Sequence, residues 1–119
     1  MSQDLPSSST RGFRVHSYFS EGATVVECHG KLTSENAPHL KAEVRGMIGK
    51  HKKILLDLKE VPMMDSSGLG TIMGLYVSAR TNRCAFGLIN ANKQIRELLG
   101  ISNLLSLFEA AGRHGGKMM

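Results

Sequence analysis

The sequence contains no tryptophan, and aromatic residues make up only 5% of its 119 residues. Proteins that bind nucleic acid commonly stack bases on aromatic side chains, which are scarce here. The net charge of +5 is therefore weak support for a nucleic-acid partner. The basic cluster over residues 50–53 falls where a helix is predicted to end and a strand to begin, and cations suit a helix C-terminus. We therefore predict no nucleic-acid partner.

Cysteine is also scarce, and no metal-binding spacing is present. Cys28 and Cys84 are far apart and lie in predicted strands, which favours buried free thiols over a disulfide framework or a metal site. The histidines are scattered and show no ligand spacing on one helix. They are His16, His29, His39, His51 and His114. We predict no metal and no cofactor.

No apolar run approaches the roughly 20 residues that a membrane span requires, and the N-terminus lacks a signal-peptide core. We therefore expect a cytoplasmic protein without membrane insertion. With 41% hydrophobic and 21% charged residues, the chain has the composition of one soluble globular domain. A domain of this size removes roughly two-thirds of its unfolded surface from water.

The predicted elements follow one another as strand, strand, helix, strand, helix, strand, helix, strand, and the last of them, at residues 104–108, is either a strand or a helical turn. This order predicts an α/β domain with a mixed four- or five-stranded sheet and helices packed on it. Thr33 or Ser34 is the expected cap of the first helix, and Asn90 or Asn92 that of the last. The domain is expected over residues 13–111, between a disordered tail at 1–12 and a flexible tail at 112–119.

Residues 63–76 join the most apolar strand candidate to a segment with helical periodicity. Asp65 is a good helix N-cap, because its carboxylate can accept hydrogen bonds from the free N–H groups of the first turn. Ser66 and Ser67 then occupy the first helical positions. Since the carboxyl ends of parallel strands share one edge of a sheet, Ser66 is expected to be exposed there.

The two sides of this helix differ. The apolar side, which should face the sheet, consists of Leu69, Ile72, Met73 and Tyr76. The opposite side carries only small residues: Ser67, Gly70, Thr71, Gly74 and Ser78. Each interior glycine costs a helix roughly 1 kcal/mol relative to alanine. Gly68, Gly70 and Gly74 therefore indicate close approach by another backbone, either from the same fold or from a partner protein.

Enzyme motifs are not satisfied here. A hydrolase nucleophile elbow needs glycines two residues before and after its serine, and neither Ser66 nor Ser67 has both. The glycine spacing is one residue too long for a dinucleotide fingerprint, and Leu75 stands where a phosphate-binding loop needs lysine. We predict no catalytic residue, and a small hydrolase or nucleotide-binding enzyme is the least favoured hypothesis.

The run Asp65-Ser66-Ser67-Gly68-Leu69-Gly70, preceded by Leu55-Leu56-Asp57-Leu58, resembles the signature of the STAS domain of bacterial anti-sigma factor antagonists. The resemblance extends from Phe13 to Phe108. It implies a STAS-like fold and phosphorylation of Ser66 by a partner that is both serine kinase and anti-sigma factor. A serine phosphatase would reverse the modification. The partner would contact Asp65, Ser67, Gly68, Gly70, Thr71, Gly74 and Thr33.

The chain departs from that family at two places. Gly30-Lys31-Leu32-Thr33 stands where antagonists commonly have Gly-Glu-Leu-Asp, so a lysine and a threonine replace two carboxylates beside the modified serine. This replacement eases the addition of a phosphate or marks a partner of different charge. The closing helix of the family is also shortened after Phe108, which affects stability or self-association.

The resulting hypothesis is an anti-sigma factor antagonist. Unphosphorylated, it would bind the anti-sigma factor kinase, and phosphorylated at Ser66 it would release it. A phosphate at this helix N-terminus is compatible with the fold but changes the surface sharply. The alternative is a STAS scaffold subunit in a stress-signalling or lipid-transport assembly, in which Ser66 is not modified.

Overall fold

The structure, a computed structural model, describes residues 8–10 and 12–101. The described part contains five strands and three helices. In chain order they are β1 (Ser8–Thr10), β2 (Phe13–Ser20), β3 (Ala23–His29), α1 (Ala37–Ile48), β4 (Lys53–Glu60), α2 (Ser66–Thr81), β5 (Ala85–Ile89) and α3 (Lys93–Ile101).

The strands form one mixed sheet in the order β1-β2-β3-β4-β5. The first three strands pair antiparallel, whereas β3, β4 and β5 are parallel. Glu21 and Gly22, with φ of 52° and 80°, connect β2 to β3 in a two-residue hairpin, a backbone geometry that matches the twist of the strands. The predicted mixed sheet is confirmed, and it has five strands.

The hydrophobic core lies between the sheet and the helices. Because Val26, Leu56 and Leu88 occupy matching positions on β3, β4 and β5, they point to the same face of the sheet. All three side chains are fully buried, together with Leu40 of α1 and Ile72 of α2. β4 lies between β3 and β5, as its continuous apolar run predicts.

Both cysteines are buried free thiols, as expected from the sequence. Burial raises the pKa of the Cys28 thiol to about 12, because a thiolate there would lose its hydration. Burial also raises the pKa of Cys84. Since the thiolate is the reactive form, neither cysteine is suited to nucleophilic chemistry at neutral pH.

Two predicted boundaries are wrong. The tail expected to be disordered over residues 1–12 contains β1, which pairs with the start of β2 through backbone hydrogen bonds that need no apolar side chains. α1 begins at Ala37 with Asn36 at its N-cap position, so neither Thr33 nor Ser34 caps it. The Thr33 carbonyl instead accepts from the Asn36 and Ala37 N–H groups, at 3.0 and 2.7 Å, in the turn before the helix.

The other predicted boundaries largely agree with the structure. Pro38 lies in the first turn of α1, and Asn92 caps α3 by accepting from the Ile95 N–H at 2.9 Å. The expected final strand or turn at residues 104–108 and the tail at 112–119 lie outside the described residues. Within the described residues, no helix is both long enough and apolar enough to cross a membrane.

Candidate functional site

Asp65 and Ser66 form the start of α2. Asp65 has extended backbone angles, and its Oδ1 accepts from the N–H groups of Ser67 and Gly68 at 2.9 and 3.1 Å. This confirms the predicted N-cap. Ser66 is the first residue of the helix, and it is exposed at the edge where β4 ends. Ser66 therefore lies on the surface beside the positive end of the helix dipole.

The loop between β3 and α1 is fixed to the same point. Asp65 Oδ2 accepts from the Ser34 N–H at 3.3 Å, and the Asp65 N–H donates to the Leu32 carbonyl at 3.2 Å. The Leu32 N–H donates to the Met63 carbonyl at 3.1 Å. One carboxylate thus caps α2 with one oxygen and contacts the β3–α1 loop with the other.

Gly68 was expected to contact the partner, but it is an interior residue. It is buried, and a Cβ added to it would lie 2.5 Å from the Leu32 carbonyl oxygen and 2.6 Å from Met64 Cγ. Close approach within the fold, one of the two explanations for the glycines, therefore accounts for this position. Buried Gly68 has little surface to offer a partner.

Gly70 and Gly74 are different, because both are exposed. A Cβ at either position would meet no described atom within 4 Å outside the helix itself. They lie on a groove between α1 and α2 with a volume of about 430 Å³. Its lining residues are Ser34, Ala37, Pro38, Lys41, Ser67, Gly70, Thr71 and Gly74. Close packing within the described fold does not explain these two glycines.

Four predicted contact residues, Ser67, Gly70, Thr71 and Gly74, thus line one wall of the groove. Thr33 is half-buried in the adjoining loop and is not among the lining residues. The opposite wall of the groove, which includes Pro38 and Lys41 of α1, was not predicted from the sequence. Their three-residue spacing is the signal that places them on one face of a helix.

The buried side of α2 also differs from the prediction in part. Ile72 and Tyr76 are buried as expected, whereas Leu69 and Met73 are only partly buried. Leu75 and Ala79, which were not predicted, are buried as well. The helix contacts α1 as well as the sheet, so its buried side extends toward α1.

Among residues 8–10 and 12–101, no cluster of three or more histidine, cysteine, aspartate or glutamate side chains could hold a metal ion. The described site consists of exposed Ser66, the N-terminus of α2 and the groove between α1 and α2.

Residues 14–118 match the family model described as the STAS domain. The chain belongs to the STAS domain family. The anti-sigma-B factor antagonist of Listeria monocytogenes is 30% identical over 91 residues, which cover 73% of this chain and 80% of that protein.

Solved structures show the same fold. An anti-sigma factor antagonist from Mycobacterium paratuberculosis superposes with a TM-score of 0.73 at 20% identity, covering 81% of this chain and 82% of that one. The Bacillus cell fate determinant SpoIIAA in its phosphorylated form gives a TM-score of 0.64 at 20% identity, covering 79% of this chain and 86% of that one. At these identities the likeness establishes the α/β STAS architecture.

Proposed function

We propose that this chain is an anti-sigma factor antagonist whose binding to an anti-sigma factor is switched off by phosphorylation of Ser66. The single observation that carries the proposal is that exposed Ser66 directly precedes Ser67, which lines the open groove between α1 and α2. Relatives named as anti-sigma factor antagonists support the class of partner. A STAS-fold relative solved in a phosphorylated form supports the class of modification.

The position of Ser66 suits a modification that leaves the fold intact. A phosphate there lies near the first turn of α2, where backbone N–H groups and the helix dipole favour an anion. Asp65 repels it, because the phosphate carries nearly two negative charges. Both effects are confined to the start of α2. The main consequence of phosphorylation is therefore a strongly hydrated anion next to Ser67, where the groove begins.

The groove supplies the partner contact. Ser67, Gly70, Thr71 and Gly74 form a wall without large side chains, over which another protein can lie closely. Asp65 acts indirectly, because its carboxylate positions both the start of α2 and the adjoining loop. A partner seated there would have to accommodate a phosphate on Ser66, and desolvating that anion would lower its affinity.

In this proposal the chain itself catalyses nothing. The anti-sigma factor acts as the serine kinase, a serine phosphatase restores the binding form, and all three proteins work in the cytoplasm.

The modification is tested by mass spectrometry. The purified chain is incubated with ATP and, one at a time, with each serine-kinase anti-sigma factor encoded in the same genome. We expect one added phosphate, its absence in Ser66→Ala, and its retention in Ser67→Ala, which removes the neighbouring hydroxyl. Phosphate on Ser67, or none with any kinase, would contradict the assignment.

The switch is tested by calorimetry with the same anti-sigma factors. Ser66→Asp should weaken binding at least ~10-fold, whereas Ser66→Ala should bind like the native chain. Ser66→Asn has the size of Ser66→Asp without its charge, so it separates bulk from charge. Equal binding by Ser66→Ala and Ser66→Asp would instead favour a scaffold role in which Ser66 is not modified.

A further inference from the structure

The charge of the α1–α2 groove is of one sign. Lys41 of α1 lines the groove, and a continuation of about 240 Å³ adds Arg45, one helical turn further along. The residues of this continuation are Lys41, Arg45, Gly74, Leu75, Val77 and Ser78. Neither set of described lining residues includes a carboxylate. The groove wall therefore presents two cations without a neighbouring anion among its own lining residues.

Two negative charges lie at the start of the groove, on Asp65 and on exposed Glu35, which follows the lining residue Ser34. The Asp65 carboxylate accepts three backbone hydrogen bonds, from Ser34, Ser67 and Gly68. Lys31 is exposed in the adjoining loop. The start of α2 adds the positive end of its dipole. Lys41, Arg45, Lys31 and the helix dipole together outweigh these two carboxylates, which makes the surface complementary to an anionic partner.

The length of the groove matches that of a short helix. It follows α2 from Ser67 to Ser78, eleven steps of 1.5 Å or roughly 16 Å, which is about three helical turns. The exposed positions Gly70 and Gly74 allow another backbone to come close. Val77, which is 54% exposed, provides an apolar contact at the far end.

We propose that the groove receives an acidic amphipathic helix of the anti-sigma factor, with carboxylates facing Lys41 and Arg45. This inference rests on the proposed function and specifies the partner's binding element. A nucleic-acid strand is less well matched, because no aromatic side chain is among the described lining residues and bases would have no stacking platform. The phosphate on Ser66 then opposes binding by like-charge repulsion as well as by its hydration.

Charge reversal tests the electrostatic part. Lys41→Glu combined with Arg45→Glu should weaken binding to the anti-sigma factor at least ~10-fold, and Lys41→Gln combined with Arg45→Gln should weaken it less. Lys50→Glu combined with Lys52→Glu makes the same change in net charge at two exposed lysines outside the groove and should alter the affinity less than ~2-fold. Circular dichroism checks that each variant is folded.

Steric filling tests the shape. Gly74→Leu should block the groove and reduce binding, whereas Gly46→Leu should not. Gly46 is a matched control, because it is an exposed glycine within α1 that lines neither part of the groove. A Gly74→Leu variant that binds as tightly as the native chain would overturn the groove as the docking site.

The outcomes separate this inference from the switch itself. If Ser66→Asp abolishes binding but the Lys41 and Arg45 reversals do not, the switch stands and the acidic helix is wrong. Equal losses with the Lys50 and Lys52 reversals would overturn it too, because net charge alone would then explain the effect. If none of the anti-sigma factors binds the native chain, the proposed function fails and this inference fails with it. Tight binding of a single-stranded RNA that Lys41→Glu abolishes would assign the groove to nucleic acid.

Discussion

At the scale of single residues, the glycines after Ser66 serve two separate purposes. Gly68 allows α2 to contact the Leu32 carbonyl, whereas Gly70 leaves the groove open. The sequence identified all of them as unusual but could not assign them, because Leu32 reaches Gly68 only through the folding of the β3–α1 loop. The Asp65 cap and the position of Ser66 at the start of α2 were predicted correctly, since capping depends on residues within one turn.

Substitution by alanine distinguishes the two kinds of glycine. Gly68→Ala should lower the free energy of unfolding by about 1–3 kcal/mol, because the added Cβ would overlap Leu32 and Met64. Gly70→Ala should raise it by up to about 1 kcal/mol, because alanine favours a helix and enters open space. Urea unfolding of both variants measures the difference. A stabilised Gly68→Ala variant would refute the close contact with Leu32.

At the scale of elements, the point of interest is the junction of α2 with the β3–α1 loop. The sequence predicted α1 and α2 from their periodicity, but not where α1 begins. Thr33 and Ser34 are both good cap residues by type, yet the structure uses the Thr33 carbonyl in a turn and the Ser34 N–H as a donor to Asp65. The hydrogen bond from the Ser34 N–H to Asp65 joins segments that are far apart in the chain. It therefore cannot be predicted from a local sequence pattern.

Removing the Asp65 carboxylate should loosen both elements. Asp65→Ala should lower the free energy of unfolding by about 1–2 kcal/mol, since α2 loses its cap. Asp65→Asn should cost less, because asparagine is a comparable cap residue and its side-chain oxygen can still accept from the Ser67 N–H. Urea unfolding gives the two values, and hydrogen exchange at the Ser34 amide reports on the loop. Equal losses in both variants would show that the negative charge, rather than the cap, stabilises the junction.

At the scale of the whole molecule, the consecutive strand order concentrates the site at one edge. β3, β4 and β5 are parallel, so the loops that follow them start at the same edge of the sheet. The order and periodicity of the elements predicted a mixed sheet with helices packed on it. The family resemblance predicted that this domain has the STAS fold. β1 was missed because Ser8–Thr10 has no apolar alternation and is held by its pairing with β2.

This arrangement predicts that phosphorylation of Ser66 changes the surface and leaves the fold intact. Ser66 is exposed and outside the core, and the helix dipole and Asp65 act on the phosphate in opposite directions. The free energy of unfolding should therefore change by no more than about 1 kcal/mol. Amide chemical shifts should move at the start of α2 and in the β3–α1 loop, while those of β4 and β5 stay in place. Ser66→Ala, treated with the same kinase, is the control. Loss of the native spectrum on phosphorylation would mean that the switch works by unfolding the domain, and the charge of the groove would then have no part in partner release.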